Sequence, residues 1–331
     1  MIPWLNTKPV RVKGGVMRIK GWAITGVMVY GLYWAAGSFG LQSLVQSAIQ
    51  ADTSSKAQDV ALQLSPLRFS TRVDDYESQI DDLTTLVAAS AEVSMPTYAP
   101  NRTRIEMLGP VQIMGPTWTI KVSADNLSVG GSVQITRNGD LGRFDLSGSN
   151  VVIEEPDTKA ATIEVHLIPS DKGVYDLDLS MTDVTLMAEV TKSIDPTHQL
   201  PEMVSLFSVN GAVKFDPAPA LFATSDPMIA GMDFAPLKLI WGDIDLTIDG
   251  LIDILPDGTP SGQLDVTLKG WETVLRMLAA NGAIKPANLM GYQAMASGLA
   301  SDDGSITLPL IFADGQMRLA AFPLGPAPKL R

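Results

Sequence analysis

Cysteine is absent from the 331 residues, histidine occurs only twice, and Asp, Glu, Lys and Arg together supply 18% of the chain. Without a thiol there is no disulfide, thiolate nucleophile, zinc finger or iron–sulfur ligation, and two histidines leave little for metal or acid–base chemistry. Negative charge is missing from one region: residues 1 to 51 hold Lys8, Arg11, Lys13, Arg18 and Lys20 but no acid. The remainder sets 19 bases against 36 acids, a net of −17 where the whole chain carries −12. A body that acidic repels a phosphate backbone, so nucleic acid is excluded as a partner. The sequence also lacks a Gly-x-Ser-x-Gly elbow and a Gly-x-x-x-x-Gly-Lys phosphate loop.

The residues that remain for chemistry read mostly as structural. His166 alternates with Val165 and Leu167 in a strand-like run, and His198 lies in the turn Asp-Pro-Thr-His. A lone histidine on a polar strand face is ordinarily solvated. Asp243, Asp245, Asp249 and Asp253 superficially resemble a calcium loop, but alternation with Ile244, Leu246 and Ile248 puts Asp243, Asp245 and Asp249 on one strand face, without the loop's glycine. The cluster Asp74, Asp75, Glu77, Asp81 and Asp82 reads as a charged loop that keeps a sheet edge from pairing with other chains. No nucleophile, base and orienter come together, so the expectation is a non-catalytic protein with no cofactor and no metal.

What the chain does have is one long uncharged run. Gly21 to Leu41 spans 21 residues, and about 20 suffice to cross the hydrocarbon core of a bilayer. The basic flank before it and the acidic body after it orient the N-terminus inside and the body outside, which in a bacterium is the periplasm. Leu41, Leu44, Val45 and Ile49 continue the helical spacing outward. The chain thus divides into a basic cytoplasmic segment 1–20, a single-pass anchor 21–41, a membrane-proximal helix or linker 42–56 and an outer domain 57–331. Met17 supplies a second candidate start beside Met1, because Met-Arg-Ile-Lys already forms a short basic region before the anchor.

From residue 57 the texture is short alternating segments punctuated by Gly, Pro, Asn and Asp, as in antiparallel strands. One pattern recurs: apolar, one residue, apolar, three residues, Asn or Asp, apolar, one residue, apolar. It fits Ile120, Val122, Asn126, Leu127 and Val129; then Phe144, Leu146, Asn150, Val151 and Ile153; then Leu177, Leu179, Asp183, Val184 and Leu186. Strand side chains alternate with period two, so the apolar phase slips by one at each Asn or Asp, which is the slip a bulge supplies. Repeated bulges predict a long, curled antiparallel sheet, either groove or sandwich-like, with Ile120, Val122, Phe144, Leu146, Leu177 and Leu179 as candidate groove lining. Trp271 to Asn281 and Ala287 to Ala300 read as a helical hairpin lidding it, followed by a strand pair turning at Asp314 and Gly315. Short helices are expected near 202–207 and 218–223, and loops over 46–60 and 215–236.

Residues over most of the chain then carry a family resemblance. Tyr98, Pro100 and Asn101 form a Tyr-x-Pro-Asn segment, and Trp241, Gly242, Gly250, Gly258, Gly262, Trp271, Gly282, Pro309, Gly315, Gly325, Pro326 and Pro328 follow. Together they resemble the bacterial family known as domain of unknown function twenty-one twenty-five. One departure is Leu319-Ala320-Ala321, where the family usually has Leu-Gly-Pro. The resemblance implies an inner-membrane-anchored periplasmic protein of Gram-negative bacteria, similar in architecture to anchored β-groove proteins that handle envelope lipids. The expected role is to bind or shield acyl chains in an apolar groove. The alternative is a scaffold of an inner-membrane complex, using Gly31 and Ala35 of the anchor as a small-x-x-x-small contact.

Overall fold

The computed structural model describes residues 15–79, 83–134, 136, 138–154, 157–220, 225 and 227–330, with side chains from residue 28 onward. A long helix, α1 (Gly15–Ala51), occupies the proline-free uncharged run. It crosses both ends of the expected span 21–41 without a break. Among the described residues no helix is long and apolar enough to cross a membrane; the first part of that span lies outside the described side chains.

Strands follow as β1 (Ser55–Lys56), β2 (Asp59–Gln63), β3 (Arg68–Gln79), β4 (Thr85–Pro96), β5 (Arg102–Met107), β6 (Val111–Met114), β7 (Thr119–Ser123), β8 (Leu127–Val133), β9 (Leu141–Ile153), β10 (Thr158–Asp171) and β11 (Val174–Thr185). After the short α2 (Ala188–Ile194) come β12 (Met203–Asp216), β13 (Met228–Trp241), β14 (Ile244–Ile254) and β15 (Pro260–Lys269). The helices α3 (Trp271–Ala280) and α4 (Leu289–Leu299) interrupt the strands, and β16 (Ile306–Ala313), β17 (Gln316–Leu319) and β18 (Phe322–Pro326) close the chain.

All of these strands belong to one 18-stranded sheet, and every pairing is antiparallel. From β9 to β18 each strand pairs with its successor in the chain. Earlier, β5 and β6 are two halves of one row alongside β4, and β8 and β7 two halves of the next, alongside β9. Among the described residues β18 does not pair with β1 or β2, so the sheet is an open meander rather than a barrel. From β9 onward neighbours in sequence are neighbours in space, which keeps loop closure short along that half of the sheet.

A crease crosses the first half of this sheet. Asp75, Asn150 and Asp183 have φ values of 49°, 48° and 50° inside strands that keep their register on either side. Asn126 lies in the break between β7 and β8, where Asp125 N donates to Ser149 O at 2.9 Å and Asn150 Nδ2 donates to Asp125 Oδ2 at 2.5 Å. Asn and Asp tolerate the left-handed conformation better than most residues. The paired strands change phase together at this line, so Met181 before Asp183 and Val184 after it pack in one apolar cluster with Ile163 and Ala160. The phase slip seen in the sequence is therefore a bend shared by neighbouring strands.

Some expectations are corrected. Residues 203–207 begin β12, not a helix, because Val204 and Leu206 alternate into the sheet opposite Val184 and Thr182. Residues 218–220 are not helical, and 221–223 lie outside the described residues. Within 215–236, expected as loop, residues 228–236 are all the first part of β13, and β2 occupies 59–63. The helical hairpin and the turn at Asp314 and Gly315 stand where the sequence put them.

Candidate functional site

The strand registers make one row of side chains continuous across the sheet. Val93 stands opposite Ile105, Ile105 opposite Val129, and Val129 opposite Leu146. Leu146 continues to Val165, Leu179, Val209 and Leu237. Ile248, Val266 and Leu308 complete it. At about 4.8 Å between neighbouring strands, this aliphatic row is roughly 50 Å long and runs across the strands. A second row lies beside it on the same face, through Phe144, Leu167, Leu177, Gly211, Phe234, Gly250, Leu264 and Leu310.

All six candidate lining residues fall on this face. Phe144, Leu146, Leu177 and Leu179 sit in the two rows. Ile120 and Val122 lie beyond the crease, where Val122 stands opposite Ile153. The six are half-buried. Along this face, the trough, most positions are partly accessible, while Val209 and Leu264 are buried.

Helices stand at the two ends of the trough. At the first end α1 lies on β2 and β3: Leu41 is buried, Gln42 Nε2 donates to Val60 O at 2.8 Å, and Tyr33 meets the Phe69 ring edge-on at 5.4 Å. A Cβ on Gly37 would come within 2.3 Å of the Phe69 ring, so glycine permits the close approach. Tyr33 donates to Thr97 O at 2.7 Å, while Tyr30 donates to Pro66 O and Trp34 to Ser65 O. These three aromatics, all inside the expected span 21–41, tie the helix to two turns of the body.

At the far end α3 and α4, the hairpin expected to lid the sheet, lie over one end of it and not over the six candidate lining residues. They cover β15 and β16, the strands they connect. Between helices and sheet is a pocket of about 260 Å³ lined by Val266, Leu268, Leu278, Met295, Leu308 and Phe322, among others, nearly all apolar. Trp271 anchors the hairpin by donating to Gly304 O at 3.2 Å, and Trp241 donates to Pro201 O at 2.7 Å on the neighbouring loop.

The residues that carry the family resemblance serve the backbone. Gly242, Gly250, Gly258, Gly262, Gly282, Gly315 and Gly325 all have positive φ. Gly250 and Gly262 lie where the paired strand leaves no room for a side chain: a Cβ would stand 2.6 Å from Gln263 O and 2.4 Å from Leu251 O respectively. Pro309 O accepts from Ala320 N at 2.6 Å, Asn101 O accepts from Val133 N at 3.1 Å, and Tyr98, Pro100, Pro326 and Pro328 lie in the turn after β4 and at the chain's end. None lines the trough as a polar ligand contact.

The carboxylates and histidines are accounted for locally. Asp243 accepts from Thr273 Oγ1 at 2.6 Å at the start of α3, while Asp245, Asp249 and Asp253 share the face opposite the apolar rows. Among the described residues no group of three or more His, Asp or Glu could hold a metal ion. Asp81 and Asp82 lie outside the described residues. His198 sits in a turn at φ 51°, and His166 Nδ1 is 2.6 Å from Asp145 Oδ1. The trough's course along the registers escapes sequence reading, because alternation reveals a strand's faces but not which strand stands opposite which.

No curated protein and no solved structure matches the chain. The family described as "Uncharacterized protein conserved in bacteria (DUF2125)" matches residues 34–328, nearly the whole described body together with the docked half of α1, and the chain belongs to that family.

Proposed function

We propose that this is a non-catalytic, membrane-held envelope protein whose open sheet receives acyl chains along its apolar face. The observation that carries the reading is the unbroken aliphatic row from Val93 to Leu308, partly accessible at every position but the buried Val209, with helices only at its ends. A contiguous apolar surface of this length is costly to leave in water and marks a binding groove or a membrane contact.

Membrane attachment by α1, with the body in the periplasm, has its own support. Met28, Val29 and Leu32 are exposed on α1 as it leaves the sheet. Beside them, Leu64 is 77%, Leu67 72% and Tyr98 83% exposed on the turns that α1 grips. Exposed leucines and tyrosine ringing a helix exit suit the boundary between headgroups and acyl chains.

The test is photolabelling of the full chain, purified in mild detergent, with a diazirine-bearing fatty acid, followed by peptide mapping. Label should concentrate on peptides containing Leu146, Val165 and Leu179 and fall severalfold in Leu146→Gln/Leu179→Gln. Label spread evenly over the surface, together with no copurifying lipid on extraction, would sink the reading.

A further inference from the structure

On the face opposite the apolar rows, the registers assemble a basic pocket in an otherwise acidic body. Arg102 on β5 and Arg143 on β9 stand on either side of Ser132 on β8, two strand spacings or roughly 10 Å apart. In the next row Gly130 separates Arg104 from Asp145. The floor between the arginines is Gly130, Gly131 and Ser132, with almost no side chain to fill it, and the resulting pocket measures about 370 Å³.

The charges in it are unevenly matched. Asp145 is the acid among the lining residues, and it already accepts from Arg143 Nε at 2.7 Å and lies 2.6 Å from His166 Nδ1. Burial works to raise its carboxyl, but these hydrogen bonds outweigh it and hold the group below the ordinary carboxylate range. Among the described residues, Arg143 is bonded through Nε to Asp145 and its terminal nitrogens take no further carboxylate. Arg104 is engaged by Glu106 at 3.1 Å and donates to Ser128 Oγ at 3.2 Å. Arg102 has no carboxylate within ion-pair distance among the described residues.

The geometry points to a binding site for a phosphate group, held between Arg102 and Arg143 over the glycine and serine floor. Guanidinium forks match phosphate oxygens in pairs, and the Ser132 hydroxyl on the bare floor adds a donor to such a cradle. The pocket also opens where α1 leaves the body: Pro96 lines it, and the next residue, Thr97, takes the Tyr33 hydrogen bond. That places it at headgroup height if the helix holds the protein at a bilayer. The lipid source of the phosphate rests on the membrane reading above; the phosphate chemistry itself does not.

The experiment is a phosphorus NMR titration of the full chain in detergent with two probes, inorganic phosphate and monomeric dihexanoyl phosphatidic acid. Saturable broadening should appear with one or both, and Arg102→Gln/Arg143→Gln should weaken it at least about tenfold, the loss expected for removing charge-assisted hydrogen bonds. Arg102→Gln alone, an exposed side chain, should weaken it as well with an unchanged melting temperature, which guards against a misfolded double variant. Response to the lipid alone assigns a headgroup, and response to inorganic phosphate assigns a soluble phosphate. Absence of saturable broadening with either probe, or equal broadening in the variants, overturns the site. Fatty-acid labelling of the apolar row should be unaffected by Arg102→Gln, so the two readings fail separately.

Discussion

Between β17 and β18 the chain turns through Ala320, whose φ of 51° lies in the left-handed region. Glycine enters that region freely, whereas an L-residue with a Cβ pays about 1–2 kcal/mol. The departure of Leu319-Ala320-Ala321 from the family's Leu-Gly-Pro is thus a strained turn rather than a different one. Ala320→Gly relieves the strain but frees the unfolded chain by about 0.4–1 kcal/mol. The net expectation is a gain of up to about 1.5 kcal/mol, read as a higher urea midpoint at unchanged slope; a lower midpoint would show that Ala320 is relaxed. The same conformational demand explains Asn150 and Asp183, whose short polar side chains suit the crease. Most of the residues that mark the family are therefore set by backbone geometry, and they report the fold more directly than any ligand.

At the scale of elements, the hairpin of α3 and α4 is fastened at its neck. Lys269, the last residue of β15, and Asp303, after α4, bracket it with a 2.8 Å ion pair. Lys269, followed by the hydroxyl and backbone NH of Ser305, holds the Asp303 carboxyl far below the usual carboxylate range. A lowered native pKa contributes stability that is fully present above the unfolded value of about 3.9 and is lost as pH falls through the native one. Asp303→Asn should therefore melt below the parent at pH 7, with the gap narrowing steadily below pH 4; a gap that persists undiminished to pH 2 would assign the loss to something other than charge. The hairpin itself was legible in the sequence, since Val274, Leu275 and Leu278 fall at helical spacing before Gly282. So was the phase slip at Asn150 and Asp183. What the sequence hid was what the hairpin covers. Short helices connecting two adjacent strands pack on those strands, and their reach does not extend to Leu146 or Leu179 several ladders away. The expected helix at 202–207 failed because Glu202 to Phe207 is too short for helical and strand periods to be told apart. The basic pocket was illegible for a further reason: Arg102 and Arg143 are far apart in sequence, and only the β5–β8–β9 register makes them neighbours.

An open meander of this size leaves two edges with unpaired backbone groups, and exposed edges are templates for pairing with other chains. The two ends are guarded differently. At the first, β1 and β2 are short and α1 lies against them, with Gln42 occupying the Val60 carbonyl. At the other, β18 reads Phe-Pro-Leu-Gly-Pro, and its apolar Phe322 and Leu324 are exposed. Hydrophobicity alone would make this edge adhesive. Pro323 and Pro326 remove two of its five backbone donors, and Gly325 at φ 112° bends it away from an extended course. Beyond it the tail folds back over the β14–β15 turn, where Leu330 N donates to Gly258 O at 2.9 Å and Lys329 reaches Asp257 at 3.5 Å. Replacing both prolines, as Pro323→Thr/Pro326→Thr, restores the donors without removing a packed side chain. Light scattering in one detergent should then show average mass rising with concentration more steeply than in the parent chain. Coincident mass curves would mean that the tail, rather than the prolines, guards the edge, and deleting residues 327–331 would be the change that exposes it.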